Sequence, residues 1–193
     1  MPAATAALKK AAEAREQVPL SDEDIRRFLP GAKIIKYSEL SKYSNLFDLL
    51  PDIQSFCFIL YEDSVNKGHW TVVCRPSDGV AEYFDSYGGP PDAPLKWTAR
   101  DRRVGLGEGH PYLSILLGDA LREGQIESAV YNKICYQKDG EGLIQINDCG
   151  RHCVLRTLKM LEGVDLEEYY KWLKKQCRTL RLDFDGVVST LIV

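Results

Sequence analysis

The sequence predicts a single α+β domain, and three observations carry that prediction. Strand-like runs rich in β-branched and aromatic residues crowd the first half, FCFILYE (56–62), HWTVVCR (69–75) and VAEYFDS (80–86). The second half carries helical spacing instead, with apolar residues at Leu113, Leu116, Leu117 and Leu121 and again at Val154, Leu158 and Leu161. The chain has 193 residues, 45% hydrophobic and 27% charged, which is enough to bury one core. Strands early and helices late make an α+β arrangement.

Taken in order, residues 1–17 are Ala-rich and charged, and they predict a frayed helix with no apolar face wide enough to dock. We therefore read residues 1–18 as a flexible N-terminal arm and 19–193 as the folded domain. Ser21 and Asp24 resemble a capping box, so a short helix through IRRFL should end at Pro30-Gly31. The three strand-like runs, separated by EDSVNKG and PSDG, predict an antiparallel meander. GGPPDAP (88–94) cannot continue a sheet. HPYLSILLGDALRE (110–123) predicts a helix with Pro111 in its first turn. From Gly150 a half-buried helix should run to Gly163, with Arg151, Arg156 and Lys159 off its apolar stripe. LEEYYKWLKKQC (166–177) predicts a last helix, and DFDGVVSTLIV reads as a strand or docked tail.

Composition excludes several classes of function. The formal charge of −3 supplies no global basic field for nucleic acid. No run of eighteen apolar residues exists, and the start lacks a secretory h-region, so an intracellular protein without a membrane role is expected. The six cysteines include no C-x-x-C pair, which favours reduced thiols, and Cys57 and Cys74 lie in apolar runs as small hydrophobes.

The stretch INDCGRHC (146–153) carries the chemistry. A thiol at a helix N-terminus meets unpaired N–H groups and the positive end of the dipole, which favour thiolate. Asp148 is placed to cap that helix, and Gly150 would let a substrate carbonyl approach the backbone. A nucleophilic thiol needs a base, and the chain offers His69, His110 and His152. His69 opens a strand at a sheet edge, with Trp70 facing the other way. His110 lies in a Gly- and Pro-rich loop, and His152 has no orienting acid on its own turn. Asp85 is the candidate acid for His69: a hairpin that pairs Arg75 with Gly79 sets the two directly opposite, roughly 4.5–5.5 Å apart at Cβ. A loop two residues longer or shorter would keep both on one face. Taken singly, each residue has a structural reading, a helical cysteine as core and a strand-end aspartate as a turn former. A zinc cluster of Cys135, Cys149, His152 and Cys153 lacks a recurrent spacing, so no metal is expected.

In that order GHW (68–70), YFDSYGG (83–89) and NDCGRHC (147–153) resemble the adenovirus-protease and SUMO-protease superfamily of cysteine peptidases. The likeness extends over residues 20–193 and is strongest to adenain-like proteases of large DNA viruses, virophages and Polinton-type elements. It implies a papain-like, adenain-like fold with a central antiparallel sheet and the nucleophile at a helix N-terminus. It also implies Cys149 as nucleophile, His69 as general base and acid, and Asp85 as its orienting partner. The family's oxyanion glutamine matches Gln137 in CYQKDG, with Gln145 in LIQIN as second choice, although Gln137 lies farther ahead of the cysteine than in the relatives. Trp70 would wall the cleft or simply pack in the core, and Gly150 and Gln145 would border the substrate. The implied activity is endopeptidase cleavage of viral or element-encoded capsid or core precursors after small residues, with no cofactor. The alternatives are a protease for SUMO- or ubiquitin-like modifiers and an inactive binding or virion scaffold module. Implied partners are polypeptide substrates, with a nucleic acid or activating peptide only by analogy to the adenovirus enzyme. The implied location is host cytoplasm or nucleus, or the virion.

Overall fold

The computed structural model describes residues 2–138 and 146–193. Its elements are α1 (Pro2–Glu16), α2 (Asp22–Phe28), β1 (Lys33–Lys36), α3 (Leu46–Leu49), β2 (Phe56–Ser64), β3 (Lys67–Ser77), β4 (Val80–Phe84), α4 (Arg100–Gly105), α5 (Tyr112–Arg122), β5 (Ser128–Tyr131), α6 (Cys149–Leu161), α7 (Leu166–Leu180) and α8 (Phe184–Leu191). Short 3₁₀ turns occupy Tyr37–Lys42 and Ala93–Trp97.

Strands β2, β3 and β4 form the expected antiparallel meander. The sheet as a whole is mixed, however, because β1 joins β2 and β5 joins β4 in parallel, giving the order β1-β2-β3-β4-β5. Both outer strands are four residues long, too short to leave a readable alternation in sequence. Helices cover both faces. Phe58, Leu60, Trp70, Val72 and Phe84 pack under α6, α7 and α8, while Cys57, Ile59, Tyr61, Val73 and Tyr83 pack against α5 and the segment around α3. Burial on both faces explains why FCFIL is apolar without alternation.

Four local expectations change. The predicted ladder set Arg75 against Gly79, but Val72 pairs with Phe84, Val73 with Tyr83 and Cys74 with Glu82, with an irregularity before Ser77 pairs with Val80. That shift of two residues keeps His69 and Asp85 on one face and makes them diagonal rather than opposed neighbours. The N-terminal segment docks instead of hanging free. Alanine side chains let α1 lie close to α8, Ala12 is buried, Arg15 donates to the Ser189 carbonyl at 3.3 Å and Asn147 N–H donates to the Glu16 carbonyl at 2.6 Å. The C-terminal DFDGVVSTLIV forms helix α8, capped by Asp183, whose side chain accepts from Gly186 N–H. Finally, α6 is buried on nearly every side rather than on one stripe. Arg156 has no exposed surface and makes a two-pronged pair with Glu82 at 2.7 Å on each arm, and Arg151 reaches the carbonyls of Val18 and Ile192. A charged residue off the apolar stripe is still buried when later helices close over it and satisfy every donor.

Candidate active site

The first residue of α6 lies against the start of β3. Trp70 N–H donates to Cys149 Sγ at 3.4 Å, and one turn later Cys153 Sγ donates to the Trp70 carbonyl at 3.4 Å. One strand residue thus anchors the helix at two cysteines. Cys153 is fully buried, and burial holds its thiol well above the ordinary value. Cys149 instead borders a hollow of about 270 Å³.

His69 lines the same hollow, and its Nε2 lies 2.8 Å from Asp85 Oδ1. Asp85 has no exposed surface and also accepts from Tyr87 N–H at 2.9 Å. With Nε2 committed to the carboxylate, Nδ1 is the ring nitrogen left for Cys149. Burial opposes charge on the imidazole, but hydrogen bonds to Asp85 and to the Cys149 side chain, with electrostatic attraction from both, outweigh it and raise His69 to about 9. The structure therefore brings Cys149, His69 and Asp85 together from three separate elements.

The glycine of GHW has its own reason. A Cβ on Gly68 would stand 1.8 Å from the Tyr61 carbonyl oxygen across the hairpin, a contact no side chain can make. Gly68→Ala is expected to cost about 1–3 kcal/mol by forcing β2 and β3 apart beside His69. Chemical denaturation measures this, and an unchanged midpoint would show that the hairpin yields freely.

Two further aromatics frame the histidine. The Trp97 ring meets His69 edge-on with centroids 4.9 Å apart, and Tyr87 lies at 5.2 Å. Trp97 is 55% exposed, so it screens the imidazole from one side while its other face meets solvent. Neither was among the predicted site residues. The available signal was a tryptophan three residues after a Pro- and Gly-rich stretch that belongs to no apolar pattern. Glu62 and Glu108 also line the hollow, and burial first, then repulsion from Glu62, raises Glu108 to about 7 against the hydrogen bond it accepts from Glu62 N–H.

The remaining predicted residues divide between the hollow and the packed interior. Trp70 lies outside this hollow but lines an adjoining one that shares Asp63, Gly68 and Asn147 with it; its indole N–H donates to the Leu20 carbonyl at 3.1 Å and its ring packs in the core. Gly150 faces Leu20 and Trp70, where a Cβ would come within 3.1 and 3.2 Å, so its smallness serves packing against them. Asp148 occupies the N-cap position without capping; its carboxylate accepts from Arg151 and Ser189 instead. His152 turns away from the thiol and pairs with Asp185 of α8 at 3.0 Å, an acid too distant in sequence for a search along its own turn. Gln137 does border the hollow. Its Oε1 accepts from Ser86 Oγ at 2.8 Å, and its Nε2 donates one proton to the Ile146 carbonyl at 2.9 Å, which leaves a second N–H. Gln145 lies outside the described residues. Among the described residues, no three His, Cys, Asp or Glu side chains are grouped to hold a metal ion, and no helix is long and apolar enough to cross a membrane.

No family model matches the chain. It is 34% identical over 179 residues to the uncharacterized protein V9 of Sputnik virophage, an alignment spanning 92% of this chain and 96% of that protein. The chain belongs to the V9 family. Among solved structures, this V9-family chain is similar to the crystal structure of a de-sumoylating protease at a TM-score of 0.30 and 12% identity, over 96% of this chain and 79% of that one. A likeness that slight bears on neither fold nor activity.

Proposed function

We propose that this V9-family chain is a cysteine endopeptidase. The observation that carries the reading is His69 held by Asp85 at 2.8 Å while it lines the same solvent-reaching hollow as Cys149. In the reaction, Cys149 Sγ passes its proton to His69 and attacks a peptide carbonyl carbon, the carbonyl electron pair moves to oxygen, and Gln137 Nε2–H, at the border of the same hollow, is the side-chain donor assigned to that oxyanion. The carbon–nitrogen bond then breaks as His69 gives its proton to the leaving amine. Water attacks the thioester with His69 taking its proton, the carbon–sulfur bond breaks as His69 returns that proton to sulfur, and the acid leaves. Asp85 keeps the ring in the tautomer and orientation that this shuttle needs.

The resemblance of the three motifs supports a substrate cut after a small residue, and the virophage origin of the relative supports a capsid or core precursor encoded with the enzyme. The test has two parts. An electrophilic peptide warhead should label Cys149 at neutral pH much faster than it labels free cysteine, and equal rates would end the reading. Capsid-junction peptides, modifier-derived substrates and candidate precursors should then be offered to wild-type and Cys149→Ser protein. Cuts made by the wild type alone name the substrate class, and cleavage of the modifier substrates alone would replace the precursor assignment.

A further inference from the structure

Strand β5 last pairs with β4 at Tyr131 and Tyr83, so the ladder ends before it reaches Asp85. At that point the Asn132 side chain takes its place. Asn132 Oδ1 accepts from Asp85 N–H at 2.9 Å, and Nδ2 donates to the Asp85 carbonyl at 2.6 Å and to the Ile134 carbonyl at 3.1 Å. One amide therefore reproduces, for a single residue, both main-chain bonds that a neighbouring strand would supply. Gly88 N–H adds a second donor to the Asp85 carbonyl at 2.8 Å. Asn132 is 4% exposed and Asp85 wholly buried, so water does not compete for these bonds. With both backbone groups held, the direction of the Asp85 Cα–Cβ bond is set, and Oδ1 is aimed at His69 Nε2 and Tyr87 N–H. The other carboxylate oxygen, Oδ2, is buried with no hydrogen-bond partner and faces Gly89, where a Cβ would come within 3.1 Å. With hydrogen bonds on one carboxylate oxygen alone, the aim of the group depends on the backbone clamp as well as on those two bonds.

We propose that Asn132 is a positioning residue for the reaction proposed above, acting through Asp85 to keep the His69 imidazole aligned with Cys149. A merely structural asparagine would make the same bonds, so the test must read the histidine as well as the fold. In Asn132→Ala the buried Asp85 N–H loses its acceptor and the carboxylate drifts. The His69 ring, titrated by NMR through its carbon-bound protons, should then change charge roughly one unit lower in pH than in the wild type, and the alkylation rate of Cys149 by iodoacetamide at pH 7 should fall about tenfold. Melting temperatures are recorded alongside. If Ala at this position prevents folding, Asn132→Ser keeps a hydroxyl at the site and should show the same shifts at smaller size. A lower melting temperature with unchanged His69 titration and unchanged alkylation in the folded variant would overturn the proposal. The titration does not depend on peptidase activity. A wild-type thiol no more reactive than free cysteine would therefore sink the peptidase reading separately, while the His69 shift would still decide whether Asn132 aims Asp85.

Discussion

Cys149→Ser and His69→Ala are each expected to remove peptide hydrolysis almost entirely, on the order of 10⁴-fold or more, because nucleophile and base act as one unit and neither works alone. The two variants should differ towards a small alkylating reagent. Cys149→Ser leaves nothing to label at that position, whereas in His69→Ala the thiol remains and should react at the rate of an ordinary cysteine. The pH dependence follows from the imidazole. Since Asp85 and Cys149 raise His69 to about 9, the ring stays protonated through neutral pH and loses its proton as pH rises through that value. Hydrolysis needs the imidazolium to protonate the leaving amine, so kcat/KM should fall above about pH 9, while alkylation, which needs no proton donor, should not fall. A pH–rate profile measured for both reactions decides this. Parallel decline of both would show that the histidine does not serve the leaving group.

The second large effect concerns stability. Arg156 and Glu82 form a fully buried, two-pronged ion pair whose third arm donates to the Val164 carbonyl at 2.8 Å, and the guanidinium lies 5.4 Å from the Tyr169 ring centre. Burial works against the Arg156 charge, but Glu82 more than compensates and raises its pKa. Removing one partner leaves the other charge buried and unpaired, so Arg156→Met and Glu82→Met should each cost about 3–5 kcal/mol. Replacing both with Met should cost far less, because an apolar pair of similar volume carries no desolvation penalty. Urea denaturation of the two single variants and the double variant measures this as a cycle. A double variant as damaged as the sum of the singles would mean that the pair contributes through shape alone. The pair joins β4, shortly before Asp85, to α6, two turns beyond Cys149, so its loss should also lower the reactivity of the thiol.

How far the residue pattern reaches can be read from these same groups. Three strands of the meander, the capping box at Ser21 and Asp24, and the helix beginning at Cys149 were legible because period-two and period-3.6 patterns and cap chemistry are local properties. The common face of His69 and Asp85 was legible too, since side-chain alternation tolerates a shift of two residues in register. The size of that shift was not, because it depends on the irregularity between Cys74 and Ser77 at the end of β3.

What tertiary contact alone settled follows from one physical fact: a residue's environment is supplied by segments far away in the chain. Trp70 and Gly150 became packing residues because Leu20 closes over them, and Arg156 became buried because Glu82 waits beneath it. His152 found Asp185 on a segment read as a strand or tail that proved to be a helix, and Asn132 found Asp85 where a short parallel strand ran out. Short outer strands, buried charges and backbone clamps leave no periodic trace, since each is one pairing between remote positions. The types of residue that carry the chemistry were visible along the chain; their distances, partners and burial came only with the fold.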